Sequence, residues 1–147
     1  MTDIPRKILF ICKGNWFRSQ IAEALYNNLT DTQDAISAGT YTGAPDEPEG
    51  VQLSKVLTGG NIFAVMDSHG FDLRQKTTTK LTPELLASAD IVVSMAEEPY
   101  IPDFLKNDSR VIWWDIANPP NVTRDFVEET YQKLYTLVSD LIGAQRK

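Results

Sequence analysis

The sequence contains one cysteine, Cys12, and one histidine, His69. A single cysteine excludes an internal disulfide and a cysteine-based zinc site. A single histidine excludes a multi-histidine metal centre. No run approaches the roughly 20 apolar residues that cross a bilayer as a helix. The opening residues Met1 to Lys7 lead into a short apolar run and carry no small-residue cleavage region of the signal-peptide kind. These features predict a cytoplasmic, reducing setting and no membrane partner. Positive charge is also scarce: 14 Lys and Arg stand against 20 Asp and Glu, a net charge of −6. That balance excludes nucleic-acid binding by bulk electrostatics and still permits a local basic pocket for a small anion. The chain has no internal repeat, low-complexity tract or linker.

The 147 residues suffice for one sizeable core, so residues 1–147 are expected to form one domain. Lys7 to Ile11 is a continuous apolar run and predicts a buried strand. Ile21, Leu25 and Leu29 recur every four residues and predict a helix over 19–30. Ala35 to Gly39 predicts a second strand. The stretch 46–60 predicts irregular chain with a short helix near 51–57. Asn61 is the expected cap of a helix that Gly70 stops, with His69 complementing its dipole. Thr82-Pro83-Glu84 predicts a capped helix ending near Ala89. Strands are expected over 90–95 and 110–114, with Trp113 and Trp114 as core and sheet packing. From Thr123 onward, Val127, Thr130, Leu134, Leu137, Val138 and Leu141 mark a helical face that Gly143 ends, with Tyr131 and Tyr135 as a surface stripe. Strands and helices alternate, which predicts an α/β fold: a four-stranded parallel sheet with helices on both faces.

Open α/β sheets bind ligands at the carboxyl ends of their strands. The loop after the first strand is Cys12-Lys13-Gly14-Asn15-Trp16-Phe17-Arg18-Ser19, and it runs straight into a helix. Its backbone N–H groups can turn inward as an anion nest, helped by the helix N-terminus. Arg18 can grip two oxygens of a tetrahedral oxyanion. Gly14 and Asn15 tolerate the positive φ of a tight nest. Cys12 sits below the nest, where the same positive field favours its thiolate. Ser19 can donate a hydrogen bond to that sulfur. Lys13 adds positive charge. Trp16, which cannot easily hide, and Tyr41, after the second strand, are candidate walls for an aryl substrate. No Gly-Lys-Ser/Thr closes the loop, so it is not a Walker loop.

The segment Ile8 to Asn27, ILFICKGNWFRSQIAEALYN, resembles the phosphate-binding loop and first helix of the low-molecular-weight protein tyrosine phosphatases, a superfamily shared with thiol-dependent arsenate reductases. Ser37-Ala38-Gly39-Thr40, the strand from Ala89 to Met95 and Trp114-Asp115-Ile116-Ala117-Asn118-Pro119 resemble, in order, that family's second strand, third strand and acid loop. The resemblance implies attack by Cys12 on phosphorus to give a cysteinyl-phosphate. Arg18 and the loop amides of Lys13, Gly14, Asn15, Trp16 and Phe17 would hold the oxyanion, Ser19 would donate to the sulfur, and water would then release phosphate. It implies a phosphate-monoester or phosphoprotein substrate, phosphate or sulfate in the loop, and no metal or organic cofactor.

Three positions depart from the family pattern. Asn118 stands where the family has its general acid, and an amide transfers no proton; Asp115 is the candidate substitute. Phe17 stands where many of these phosphatases have a second, protective cysteine. An extra stretch between Gly43 and Asn61 forms either a lid or wall over the site, or a surface loop. Two other functions stay open. Gln20 after Arg18-Ser19 is more like the arsenate reductases, which here would need an external small thiol. Loss of the acid also fits a weakly catalytic phosphate- or phosphotyrosine-binding module.

Overall fold

A computed structural model describes residues 7–44, 49–56, 60–118 and 122–145. In chain order the elements are β1 (Ile8–Cys12), α1 (Arg18–Thr30), β2 (Ala35–Gly39), α2 (Leu53–Val56), α3 (Asn61–Ser68), α4 (Pro83–Ser88), β3 (Ile91–Ser94), α5 (Asp103–Lys106), β4 (Ile112–Trp113) and α6 (Arg124–Gln145). All strand pairs are parallel, in the order β2-β1-β3-β4. The α/β architecture expected from the sequence is therefore present.

The central strand explains why the first apolar run is unbroken. Ile8, Phe10 and Cys12 face one layer, where they meet Ile21 and Leu25 of α1, Met66 of α3, and Leu134 and Val138 of α6. Leu9 and Ile11 face the other, against Leu86 of α4, Val92 of β3 and Leu105 of α5. Successive side chains alternate sides, so a strand covered on both faces needs apolar residues at every position. Thr82 caps α4 by accepting from the Leu85 N–H, with Pro83 at the first helical position, as its sequence predicts.

Several elements differ from expectation. β4 is two residues long, and Trp113 is 46% exposed, whereas Trp114 packs on Phe10 at 5.8 Å. Neighbours in a strand point to opposite sides, and at this edge only one side is covered. Leu29, the last residue of the predicted apolar face of α1, is exposed. Gly60, at φ 72°, caps α3, and Asn61 inside the helix donates instead to the Val122 carbonyl at 2.8 Å. α6 runs through Gly143 to Gln145. Tyr131 is buried while Tyr135 is exposed. His69 caps the end of α3, stacks on Tyr131 at 3.8 Å and bonds Glu128 of α6 at 2.8 Å, so it joins two helices.

The short helix expected near 51–57 is present as α2, and just before it the extra stretch bridges to the run 76–78. Gly50 N–H donates to Thr78 O at 2.7 Å, Thr78 N–H to Val51 O at 3.0 Å, and Leu53 N–H to Lys76 O at 2.8 Å. Gln52 and Thr77 form an antiparallel bridge. The rest of the candidate lid, 45–48 and 57–59, lies outside the described residues. Among the described residues, no helix is long and apolar enough to cross a membrane.

Candidate active site

The loop 13–17 spans from the carboxyl end of β1 to the first turn of α1, and its shape is fixed by β2 and by the run 77–79. Thr40 N–H donates to Cys12 O at 2.9 Å and Tyr41 N–H to Lys13 O at 2.8 Å, so the chain leaving β2 extends the pairing into the loop. The Thr42 hydroxyl donates to Gly14 O at 2.9 Å. Gly39 makes this approach possible: a Cβ there would stand 2.0 Å from Thr42 Oγ1, 2.7 Å from Lys13 O and 2.9 Å from Asn15 N. The predicted positive φ falls at Asn15, at 59°. An asparagine tolerates that conformation best when its side chain bonds locally.

Asn15 does bond in this way, and its bonds reach Cys12 through Ser19. Its Oδ1 accepts from the Thr79 N–H at 2.7 Å. A backbone N–H can only donate, which fixes the amide's orientation. Asn15 Nδ2 therefore donates to Ser19 Oγ at 2.8 Å and to Ser37 Oγ at 2.9 Å. Ser19, accepting there, has its proton free for Cys12 Sγ, 3.0 Å away. The Asn15 N–H points to the same sulfur at 3.3 Å. Two donors thus converge on a buried Cys12.

Behind Asn15 the chain of bonds continues. Ser37 Oγ donates to Glu23 Oε1 at 2.8 Å, and Lys76 Nζ meets Glu23 Oε2 at 2.6 Å. Gln20 Nε2 donates to Asn15 O at 3.1 Å and Thr77 O at 3.0 Å. A second cavity of about 290 Å³ lies on this side, lined by Gln20, Glu23, Ser37 and Lys76 among others.

Arg18 is 2% exposed. Its Nη1 donates to Met95 O at 2.6 Å, Ile116 O at 3.0 Å and Glu97 Oε2 at 3.0 Å, and its Nη2 to Glu97 Oε1 at 3.3 Å. One edge of the guanidinium is thus locked by the chain leaving β3 and by the run after β4. The Ile116 bond also sets where the following residues lie. Asn118 consequently lines a cavity of about 210 Å³ together with Cys12, Lys13, Gly14, Trp16, Phe17 and Arg18. Asp115 is exposed and is not among the lining residues. Trp16 stacks on Phe17 at 6.0 Å, which in turn packs on Phe126 at 6.2 Å. Tyr41, a candidate wall, is exposed and not among the lining residues; it stands edge-on to Tyr100 at 5.0 Å, with Lys13 Nζ 4.3 Å over the Tyr100 ring. Among the described residues no group of three or more His, Cys, Asp or Glu is placed to hold a metal ion.

Residues 7–147 match the family described as low molecular weight phosphotyrosine protein phosphatase. The chain belongs to that family. Among relatives, a probable low molecular weight protein-tyrosine-phosphatase EpsP of Ralstonia nicotianae is 32% identical over 92 residues, 61% of this chain. The match spans only about half, 55%, of that relative's own length. An arsenate reductase of Halalkalibacterium halodurans is 33% identical over 143 residues, covering 95% of this chain and 91% of the relative. Vibrio vulnificus Wzb, solved in complex with benzylphosphonate, shares the fold: the TM-score is 0.75 at 19% identity, over 92% of this chain and 96% of that one. Relatives similar to this chain thus carry both phosphatase and arsenate reductase names.

Four contributors escaped the sequence reading: Glu97, Glu23, Lys76 and Tyr100. Glu97 had a signal, since an acid just past a parallel strand lies at the ligand-binding edge. Glu23 gave none: periodicity sets it opposite Ile21 and Leu25, and it is buried because α1 is covered on more than one side. Lys76 and Tyr100 gave none, because only the fold brings them close.

Proposed function

We propose that the protein is a phosphatase acting on phosphotyrosine or other aryl phosphate monoesters through a cysteinyl-phosphate at Cys12. The observation that carries this reading is the pair of donors, Ser19 Oγ and Asn15 N–H, aimed at a buried Cys12 Sγ at the base of a cleft that Arg18 closes. Cys12 Sγ attacks phosphorus. The loop amides from Lys13 to Arg18 and the Arg18 guanidinium hold the equatorial oxygens as charge builds. Ser19 then stabilises the sulfur when water displaces it. Trp16, braced by Phe17, flanks the entrance to the cleft. Asn118, at the acid position, slows departure of basic leaving groups. The EpsP relative and the benzylphosphonate held by Wzb fit a phosphate-monoester substrate. The reading takes a reducing compartment such as the cytoplasm, where Cys12 stays a thiol.

A second reading is supported by the arsenate reductase relative and by Gln20. In it, Cys12 binds arsenate, an external small thiol attacks the sulfur to form a mixed disulfide, and arsenic leaves as arsenite. A second thiol then regenerates Cys12. The chain has no other cysteine to supply either electron pair.

Rapid mixing with 2,4-dinitrophenyl phosphate separates these readings. The phosphatase reading expects a burst of dinitrophenol and a phosphate adduct on Cys12 by mass spectrometry, both lost in Cys12→Ser and inhibited by phosphate. Thiol-dependent release of arsenite without that adduct favours the reductase. Phosphate binding with neither reaction leaves a binding module.

A further inference from the structure

We propose that the cleft is specialised for acyl phosphates, mixed anhydrides of phosphate and a carboxylic acid, an inference that rests on the cysteinyl-phosphate reading. The structural basis is the placement of Asn118 in the cavity that also holds Cys12 and Arg18. That placement is held by the Arg18 bond to Ile116 O at 3.0 Å, with Trp114 N–H on Ser94 O at 2.9 Å. An amide Nδ2 donates a hydrogen bond to a departing oxygen and keeps its proton. It therefore stabilises a leaving group that departs as an anion and does little for one that must be protonated.

The other acids near the cleft have different duties. Glu97 is engaged on both oxygens by Arg18 at 3.0 and 3.3 Å. Glu23 is tied to Ser37 and Lys76 on the far side of the loop. Asp115 is exposed and outside the cavity lining. His69 bonds Glu128 between α3 and α6. Among the described residues, none of the groups lining the cavity is a carboxylate or an imidazole. A phenol such as tyrosine's, with a pKa of about 10, leaves poorly without a proton. A carboxylate, the conjugate base of an acid of pKa near 4, leaves readily as it stands.

The electron count closes without a general acid. The Cys12 thiolate forms the S–P bond, the P–O bond to the acyl oxygen breaks, and its electron pair leaves with the carboxylate. Water then forms a new O–P bond and the S–P pair returns to sulfur. Water's protons end on phosphate or in solvent.

The test measures kcat/KM for acetyl phosphate, 2,4-dinitrophenyl phosphate, p-nitrophenyl phosphate and phosphotyrosine, with Cys12→Ser as the blank for spontaneous hydrolysis. The expected result is a steep fall with leaving-group pKa, with acetyl phosphate and 2,4-dinitrophenyl phosphate, whose leaving groups are similarly acidic, together at the fast end. In Asn118→Asp the ratio of acetyl phosphate to phosphotyrosine kcat/KM should drop by about 100-fold or more, the lower bound of what a restored acid supplies. The wild-type slope decides the question even if that variant does not fold. A flat series overturns the proposal, as does selective loss of phosphotyrosine turnover in Asp115→Asn or Lys13→Met, since either residue would then be the acid. If dinitrophenyl phosphate labels Cys12 and acetyl phosphate does not react, the acyl phosphate inference alone falls. If no substrate labels Cys12, the cysteinyl-phosphate reading falls and takes this one with it.

Discussion

Gly39 does not line the cleft, yet the loop around Cys12 depends on its missing side chain. A methyl group there would overlap Thr42 Oγ1 and press on two backbone atoms of the loop, Lys13 O and Asn15 N. The backbone contacts cannot rotate away, so the loop must shift. Gly39→Ala should cost about 3 kcal/mol, the upper end for overpacking, and should weaken phosphate binding as well, read by urea unfolding and by competitive inhibition. Loss of stability with intact phosphate affinity would mean that β2 gives way instead of the loop. Glu97 makes a second residue-scale test. It accepts from both Nη1 and Nη2 of Arg18, while Met95 O and Ile116 O also hold Nη1. Glu97→Gln should lower phosphate affinity about fivefold, from the roughly 1 kcal/mol left to a charge-assisted bond at a partly exposed carboxylate. Glu97→Asp should recover part of it. Tighter phosphate binding in Glu97→Gln would show that the carboxylate competes with the anion for Arg18.

Among elements, the run from Lys76 to Thr79 links the bridged segment 50–53 to the loop. On one side it pairs with Val51 and Leu53; on the other Thr79 N–H and Thr77 O hold Asn15 and Gln20. Lys76 adds its ion pair with Glu23, which continues through Ser37 to Asn15. Lys76→Met should leave Glu23, whose side chain is 12% exposed, short of its cationic partner. The expected outcome is a loss of about 1–3 kcal/mol together with slower alkylation of Cys12 by iodoacetamide, because Asn15 orients Ser19. Unchanged alkylation with reduced stability would confine Lys76 to a packing role. How much of this was legible follows from distance along the chain. Cys12, Asn15, Arg18 and Ser19 lie within one loop, so their spacing carried the chemistry. The short helix near 51–57 was legible and is α2, whereas the bridge of 50–53 to 76–78 was not, because its partner run supplies its order. The edge position of β4 was hidden for a similar reason: Ile112-Trp113-Trp114 looks like a buried strand unless the missing neighbour is known.

At the scale of the whole molecule, an acidic chain gains part of its stability from carboxylates held charged by neighbouring cations. Asp108 is kept below its usual 3.8 by side-chain and backbone hydrogen bonds from Arg110. That same arginine bonds Ala89 O at 2.8 Å and Leu86 O at 3.2 Å, tying the end of α4 to the approach to β4. Arg74 lowers Asp67 and Asp72 through hydrogen bonds. Glu128 is lowered by the Gln132 hydrogen bond and then by His69. A carboxyl group whose value is depressed by folding stabilises the native state fully above its unfolded value, and that contribution disappears as pH falls through the folded value. Below the ordinary Asp and Glu range the unfolded chain binds more protons than the folded one, so stability must fall with falling pH. The urea midpoint should accordingly hold level from pH 7 to about 5 and decline steeply below about 4. Asp108→Asn isolates one contribution, because its side-chain oxygen can still accept the Arg110 N–H while the charge is gone. The variant should be less stable than the wild type at pH 7, and the two midpoints should converge as Asp108 protonates. A constant offset down to pH 3 would mean that Asp108 acts by shape and hydrogen bonding alone, and that the acid sensitivity belongs to the pairs on α3 and α6.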